Sequence, residues 1–290
     1  MELFIRTYCH ITDKTASVNG QKVPVSTEDG RFLADLYRTL KIDYPKFFKM
    51  DNLSKLGFLA AELIFKDNKT RFTPREDLAI ICFNRSSSLD TDVTYQNMIQ
   101  QGDNYFPSPS VFVYTLPNIV TAEIAIRNKL FGETSFYLSE QPNAEEIFRT
   151  VKNAFQDKTT SSALVAWVEY FENTSKAVMM LVEPDKKWGI PFTINQIVTY
   201  INQEKMDELI LKLKQEIIEV LNLEDVKPED IADDSPLFGE GLGLDSIDAL
   251  ELIVLMEKSY GIKLKDASQG REIFKSVKVM AAYIQENRTK

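Results

Sequence analysis

The 290-residue sequence has one histidine, two cysteines and no apolar run approaching the ~18 residues of a membrane span. Each scarcity excludes a class of function. General acid–base work falls most often to His, and a Ser–His or Cys–His pair needs the imidazole at the nucleophile. The lone His10 lies beside Cys9, and sequence neighbours on a strand point to opposite faces. The two are therefore expected to be strand residues without chemistry. Cys9 and Cys82 are too few for a disulfide framework or a structural zinc site, so no metal is expected. The opening Met1-Glu2-Leu3-Phe4-Ile5-Arg6 has no basic stretch leading into a long apolar run. A signal peptide is not expected, and the expected setting is cytoplasmic and reducing. Also missing are a Gly/Ser- or Pro-rich linker, a low-complexity tract and an internal repeat.

What is present is an ordinary globular composition, 44% apolar and 27% charged, with a net charge of −9. That sign repels a phosphate backbone, so a nucleic-acid partner is not expected. The length suggests about two domains, and the charge is unevenly spread. Residues 206–290 carry 18 acidic against 11 basic side chains, most of the excess. The break falls at the short join Tyr200–Met206, giving a first domain over 1–200 and a second over 206–290. Met206-Asp207-Glu208 also reads as the start of a protein that has been joined on.

The last 85 residues read as helical. Leu209, Ile210, Leu213, Ile217, Val220 and Leu221 follow a helical period. A long loop runs from Pro228 to Asp245, with Pro236, Gly239, Gly241 and Gly243 in it. A second helix opens at Asp245-Ser246 and runs to about Tyr260, with Gly261 closing it. A short turn near Gln269–Phe274 and a last helix carrying Val277, Met280, Ala281 and Ile284 complete the set. In the second helix Ala249, Leu252, Ile253, Met256 and Tyr260 make a core stripe. The opposite stripe, Ile247, Glu251, Val254 and Lys258, contains two apolar residues where polar ones belong. Either these are scattered surface residues or they form a small docking face edged by acids. Ser246, by position alone, reads as an N-cap. Gly239-Glu240-Gly241-Leu242-Gly243 has the wrong spacing and no preceding strand for a phosphate cradle.

Together, Gly243-Leu244-Asp245-Ser246-Ile247-Asp248-Ala249-Leu250-Glu251-Leu252 resembles the Asp-Ser-Leu signature of acyl carrier proteins, with Ile247 in the Leu place. The resemblance extends over 206–290, through Asp-Asp-Ser-Pro-Leu at 233–237. It implies that the Ser246 hydroxyl carries covalent 4′-phosphopantetheine, added from coenzyme A by a phosphopantetheinyl transferase. It implies that Asp245, Asp248 and Glu251 meet partner enzymes, with Ile247 and Val254 of the docking face beside them. Ser246 has no resident base and reads as a handle, not a self-activated nucleophile. A small helical bundle can part its helices to shelter an acyl chain near Leu252, Ile253, Met256 and Met280.

In the first 205 residues helices and strands alternate, which argues a layered α/β fold. Helices are expected over Phe48–Leu63, Val93–Gln101, Pro117–Lys129 and Ala144–Asp157, and strands over Leu78–Phe83, Thr134–Ser139, Ala163–Tyr170 and Lys176–Glu183. Phe48–Leu63, then Asn84-Arg85-Ser86-Ser87-Ser88-Leu89-Asp90-Thr91-Asp92, then Ser108–Ile119 through Ala125-Ile126-Arg127 and Gly132, resemble the N-terminal half of a β-ketoacyl synthase. The fold expected is thus an α/β layered, thiolase-like half domain followed by an all-α, four-helix acyl-carrier bundle. A working synthase has a nucleophilic Cys after the strand at Thr134–Ser139, where this chain has Gln141. That Gln either marks a degenerate nucleophile position, as in chain-length-factor partners of polyketide synthases, or is a plain surface residue. No Cys follows Cys82 and no His follows His10, so no catalytic residue is assigned. The resemblance implies a pseudo-ketosynthase that pairs with an active synthase, or with a second copy, in fatty-acid or polyketide-like synthesis. A residual decarboxylase or priming activity and a purely structural dimerisation module are the alternatives. One sheet face of such a half domain is expected to be uncovered, with Thr134–Ser139 at the contact.

Overall fold

The computed structural model describes residues 1–26, 31–100, 106–156, 158–239, 241–264 and 267–288. Gln101, Asp157 and Glu240, which the readings above included, lie outside them. The chain divides into two compact units, Met1–Ile201 and Asn202–Lys290.

In the first unit β1 (Phe4–Thr12), β2 (Ala16–Val18) and β3 (Gln21–Lys22) precede α1 (Phe32–Thr39) and α2 (Asn52–Ile64). Next come β4 (Leu78–Asn84), α3 (Leu89–Gln100), α4 (Pro109–Val113), α5 (Ile119–Asn128), β5 (Thr134–Leu138) and α6 (Ala144–Ala154). The unit ends with β6 (Ser162–Phe171), β7 (Thr174–Glu183), β8 (Ile190–Pro191) and α7 (Ile194–Ile201). Among the described residues the strands form one mixed sheet in the order β3-β2-β1-β7-β6-β4-β5, with β8 on β1. β4 runs parallel to both β5 and β6, and β7 is antiparallel to β6 and β1.

Alternation along the central strands feeds two cores. Leu78, Ile80 and Cys82 of β4 join Leu164, Ala166 and Val168 of β6, under α1, α2 and α5. Ala79, Ile81 and Phe83 join Ala163, Val165 and Trp167 on the other side, under α6 and α7. The central strands are therefore covered on both faces, which narrows the expected open face to the strand named for the contact, β5. The cover comes from α7, where Ile197, Tyr200 and Ile201 at helical spacing are buried beside Ile147 and Val151 of α6. What remains open is the edge strand β5, none of whose five residues is buried. β5 ends the sheet order, and its Tyr137 and Leu138 are exposed, with Tyr137 stacked on Phe83 at 5.0 Å between centroids.

α2 begins at Asn52, four residues after the expected Phe48, for a local reason. Asp51 takes the N-cap and accepts from the Ser54 N–H at 3.0 Å. The preceding Pro45–Lys49 makes a separate 3₁₀ turn that buries Phe47. The other Asp51 oxygen accepts from the Thr91 hydroxyl at 3.0 Å, tying α2 to α3. α3 itself starts at Leu89, four residues before the expected Val93. Inside the unit Glu62 takes both Arg71 and Arg127, the latter at 3.1 Å. Glu123 takes Lys46 at 2.7 Å and the Tyr114 hydroxyl at 3.0 Å, so these buried carboxylates are paired.

Asp51→Ala removes an N-cap and an inter-helix bond together. It should cost about 1–2 kcal/mol, read as a lower denaturation midpoint at unchanged m-value. An unchanged midpoint would show that neither bond contributes.

Candidate functional site: the start of the second long helix of the C-terminal unit

The second unit consists of α8 (Gln203–Val220), α9 (Ser246–Tyr260), α10 (Ala267–Ile273) and α11 (Val277–Asn287), with a 3₁₀ turn at Pro228–Asp230. α8 starts six residues before the periodic run first signalled by Leu209, and includes Met206. The core joins Ile210, Leu213 and Ile217 of α8 to Leu252, Leu255, Met256 and Tyr260 of α9 and to Met280, Ala281 and Ile284 of α11. Leu255 is buried, while Ala249 and Ile253 of the expected core stripe are half-buried at its margins.

The connection before α9 is anchored by its own backbone. Ile231, Leu237 and Leu244 are buried in the same core. The Leu237 N–H donates to the Lys275 carbonyl at 3.2 Å, and the Lys278 N–H to the Asp233 carbonyl at 3.0 Å. The chain then turns back on itself. The N–H of Leu242 donates to the Pro236 carbonyl at 3.3 Å, and that of Leu244 to the Leu237 carbonyl at 3.2 Å. Two glycines permit this turn. A Cβ on Gly241 would stand 1.6 Å from the Pro236 oxygen, and Gly243 has a left-handed φ of +76°. The turn delivers Asp245-Ser246 to a fixed helix start.

Asp245, not Ser246, is the N-cap. One carboxylate oxygen of Asp245 accepts from Ile247 N–H at 2.6 Å and from Asp248 N–H at 3.2 Å. In return the Asp248 carboxylate accepts from Asp245 N–H at 2.7 Å, completing a capping box. Ser246 is the first helical residue and is exposed, so its hydroxyl does not serve the cap. The helix C-terminus closes at Gly261 as the sequence suggests, with φ +70°.

Along α9 the apolar residues Ile247, Leu250 and Val254 are 69%, 60% and 42% exposed, with Glu251 exposed among them. Ile247 and Val254 stand where the sequence expects them, and Leu250 joins them. The signal was available, since 247, 250 and 254 fall on one helical face. Asp245 and Asp248 border this face, but both carboxylates are committed to the cap.

Among its described residues the first unit brings no comparable set together. Cys9 lies in the core under α2, its thiol 3.5 Å from the Ala60 carbonyl. His10 faces the other way, its Nε2 2.7 Å from the Tyr200 carbonyl, so the two form no dyad. Burial pushes the Cys82 thiol up to about 12 and raises that of Cys9 as well. Gln141 lies exposed between β5 and α6, two residues before the Asn143 N-cap, and its carbonyl accepts from the Ser139 hydroxyl at 2.9 Å.

Asp245→Ala should destabilise the second unit by about 1 kcal/mol and fray the first turn of α9. Amide exchange at Ile247 and Asp248 checks this. Unchanged protection there would remove the capping role.

Residues 212–284 match the family described as phosphopantetheine attachment site. An acyl carrier protein of Onion yellows phytoplasma is 46% identical over 50 residues, which cover 17% of this chain and 63% of that protein. One of Phytoplasma australiense is 42% identical over the same extent. The chain thus spans under two thirds of the length of these curated relatives. Among solved structures, the ishigamide ketosynthase/chain length factor aligns with 64% of this chain and 63% of its own, at 11% identity and a TM-score of 0.46. A ketosynthase in complex with its chain length factor from Xenorhabdus doucetiae gives 15% identity and 0.40, covering 64% of this chain and 80% of that one. A type II polyketide acyl-carrier protein in complex with its ketosynthase gives 9% and 0.48, covering 100% and 93%. Residues 212–284, which hold the capped start of α9 and the anchored turn before it, are a phosphopantetheine-attachment domain.

Proposed function

We propose that Ser246 carries the phosphopantetheine arm and that the chain is an acyl carrier. The supporting observation is the division of labour at the helix start. Asp245 caps the helix, and the exposed Ser246 hydroxyl is left to a transferase. The residues fit the group. An exposed hydroxyl on a rigid first turn can be approached from solvent, and the helix N-terminus favours the phosphodiester charge. With the Ile247 and Asp248 N–H groups already taken by Asp245, the arm is held by its covalent bond. The arm supplies a thiol that holds an acyl chain as a thioester. The chain's own residues present that arm and identify it to partners.

Ile247, Leu250 and Val254 form the apolar centre of the docking face, with Glu251, Asp248 and Asp245 as its acidic border. This chemistry suits enzymes with basic, partly apolar surfaces: the phosphopantetheinyl transferase, a β-ketoacyl synthase and other acyl-chain enzymes. The excess acid of residues 206–290 speeds such encounters without making them tight. In this reading the pathway is fatty-acid or polyketide-like synthesis in the cytoplasm.

The first unit acts as a pseudo-ketosynthase. Its thiols are buried and its one imidazole faces a backbone carbonyl, so it has no activated nucleophile with which to condense acyl groups. It pairs with an active synthase through the outer edge of β5. An edge strand presents a row of unpaired backbone groups, and Tyr137 and Leu138 add exposed apolar side chains to it.

Incubation with coenzyme A and a broad-specificity phosphopantetheinyl transferase should add one phosphopantetheine by intact mass, and none to Ser246→Ala. No addition to the folded parent would sink the carrier reading. For the edge, the parent should co-sediment with a full-length β-ketoacyl synthase and Leu138→Arg should not, with the modification of Ser246 unchanged. Undiminished association would rule β5 out as the contact.

A further inference from the structure

Among the described residues α3 is the one long helix of the first unit that contributes to neither hydrophobic core. Its twelve residues include a single buried one, and that one is a threonine, Thr91. Leu89 and Val93 are exposed, and Tyr95, Met98 and Ile99 are only half-buried. α2, of similar length, buries eleven residues.

What holds α3 is polar and lies at its start. The Thr91 hydroxyl donates to Asp51 at 3.0 Å. Just before the helix, the Ser88 hydroxyl donates to the Thr115 carbonyl at 2.6 Å. Farther along, Tyr95 leans on Phe112 of α4 at 5.5 Å between ring centroids, and α4 itself buries no residue. Detaching such a helix gives up one buried hydrogen bond and little apolar burial, so it can leave while both cores stay packed.

Asp90 works against the hold. It lies in the first turn of α3, half-buried, close to the same Asp51 that receives Thr91. Burial first, and then the Asp51 charge, push its carboxyl above the usual range. The groups around this pair come from three other elements. Lys55 of α2 stands near Asp51. Tyr170 of β6 stands near Asp90, its hydroxyl accepting from the Asn52 amide at 2.9 Å. Tyr114, after α4, faces Asp51 and is bonded to Glu123. Asp92, on α3 itself, lies 3.3 Å from the Ser88 hydroxyl. An ionised Asp90 is thus better solvated with α3 away from α2. The helix dipole favours the first-turn carboxylates whether α3 is attached or free, because the helix moves as a whole.

We propose that α3 is a releasable helix, hooked to α2 by the Thr91–Asp51 bond and biased toward release by Asp90. The first unit opens along residues 92–100 without loosening its cores, and release bares Tyr95, Met98 and Ile99 beside Phe112. The device is independent of the carrier reading at Ser246.

Hydrogen exchange of the full-length protein at neutral pH, read by mass in peptides covering 92–100 and α2, tests it. In the parent the α3 amides should exchange at least about 100-fold faster than those of α2. Asp90→Asn should slow α3 several-fold and leave α2 unchanged. Asp92→Asn removes a charge from the same turn without relieving Asp51 and should not slow it. Thr91→Val should speed α3 several-fold, whereas Thr91→Ser keeps the hydroxyl and should match the parent, which separates loss of the hook from poor folding. An α3 as protected as α2 in the parent overturns the release. Unchanged exchange in Asp90→Asn, or equal slowing by Asp92→Asn, overturns the bias. Equal effects of Thr91→Val and Thr91→Ser overturn the hook.

Discussion

The first unit follows from one constraint: its central strands are desolvated on both sides. A strand buried on two faces must be apolar at every position, and β4 is, from Leu78 to Phe83. Both faces then need cover, so helices must lie on each. α2, with eleven of its thirteen residues buried, serves one side. The amphipathic α6 and the short α7 serve the other. With both faces of the central strands occupied, the part of the sheet left for another chain is its outer strand, β5. That is why the pairing proposed here rests on β5 and not on a broad apolar face.

The second unit is organised around a fixed point instead of a layer. The long connection between α8 and α9 is half of what holds α9 in place. Leu237 and Asp233 bond the backbone around α11, and Ile231, Leu237 and Leu244 fill the core from below. By the time the chain reaches Asp245 its path is determined, and the capping box fixes the first turn. A serine placed one residue later is held still by its neighbours while its own side chain has no structural duty. Precision at the proposed attachment point and freedom of an arm beyond it come from the same local arrangement.

Legibility from sequence followed the strength of local periodicity. The four main strands, β4 to β7, and the helices α5, α6, α9 and α11 stand where the pattern puts them, within a few residues. β1 was read only as a strand around Cys9. In β1 the buried residues Ile5, Cys9 and Ile11 share odd positions and on a regular strand would share a face. A register shift between Ile5 and Thr7 sends Ile5 into one core and Cys9 and Ile11 into the other. No alternation count reveals that. α7 escapes the pattern because eight residues give barely two turns of it, and the expectation of a bare face follows from the half-domain resemblance, which has no counterpart of this cover. At the site, the Asp-Ser motif marked the right turn, but the cap went to Asp245. Ser and Asp compete for that role on nearly equal terms, and only the backbone angles decide. Leu250 escapes because the stripe runs from Ile247 to Glu251, a first step of four that passes over the residue three away.

The doubling of roles at Asp245 and Asp248 bears on any mapping of the proposed docking face by mutagenesis. Neutralising either residue removes surface charge and, at the same time, loosens the turn that aims Ser246. A weakened partner interaction in such a variant mixes lost attraction with a misdirected arm, and the two are inseparable in one affinity. Glu251 lies on the same face outside the capping box. The electrostatic part of recognition can be read cleanly at that residue, and charge reversals at the two aspartates will overstate it.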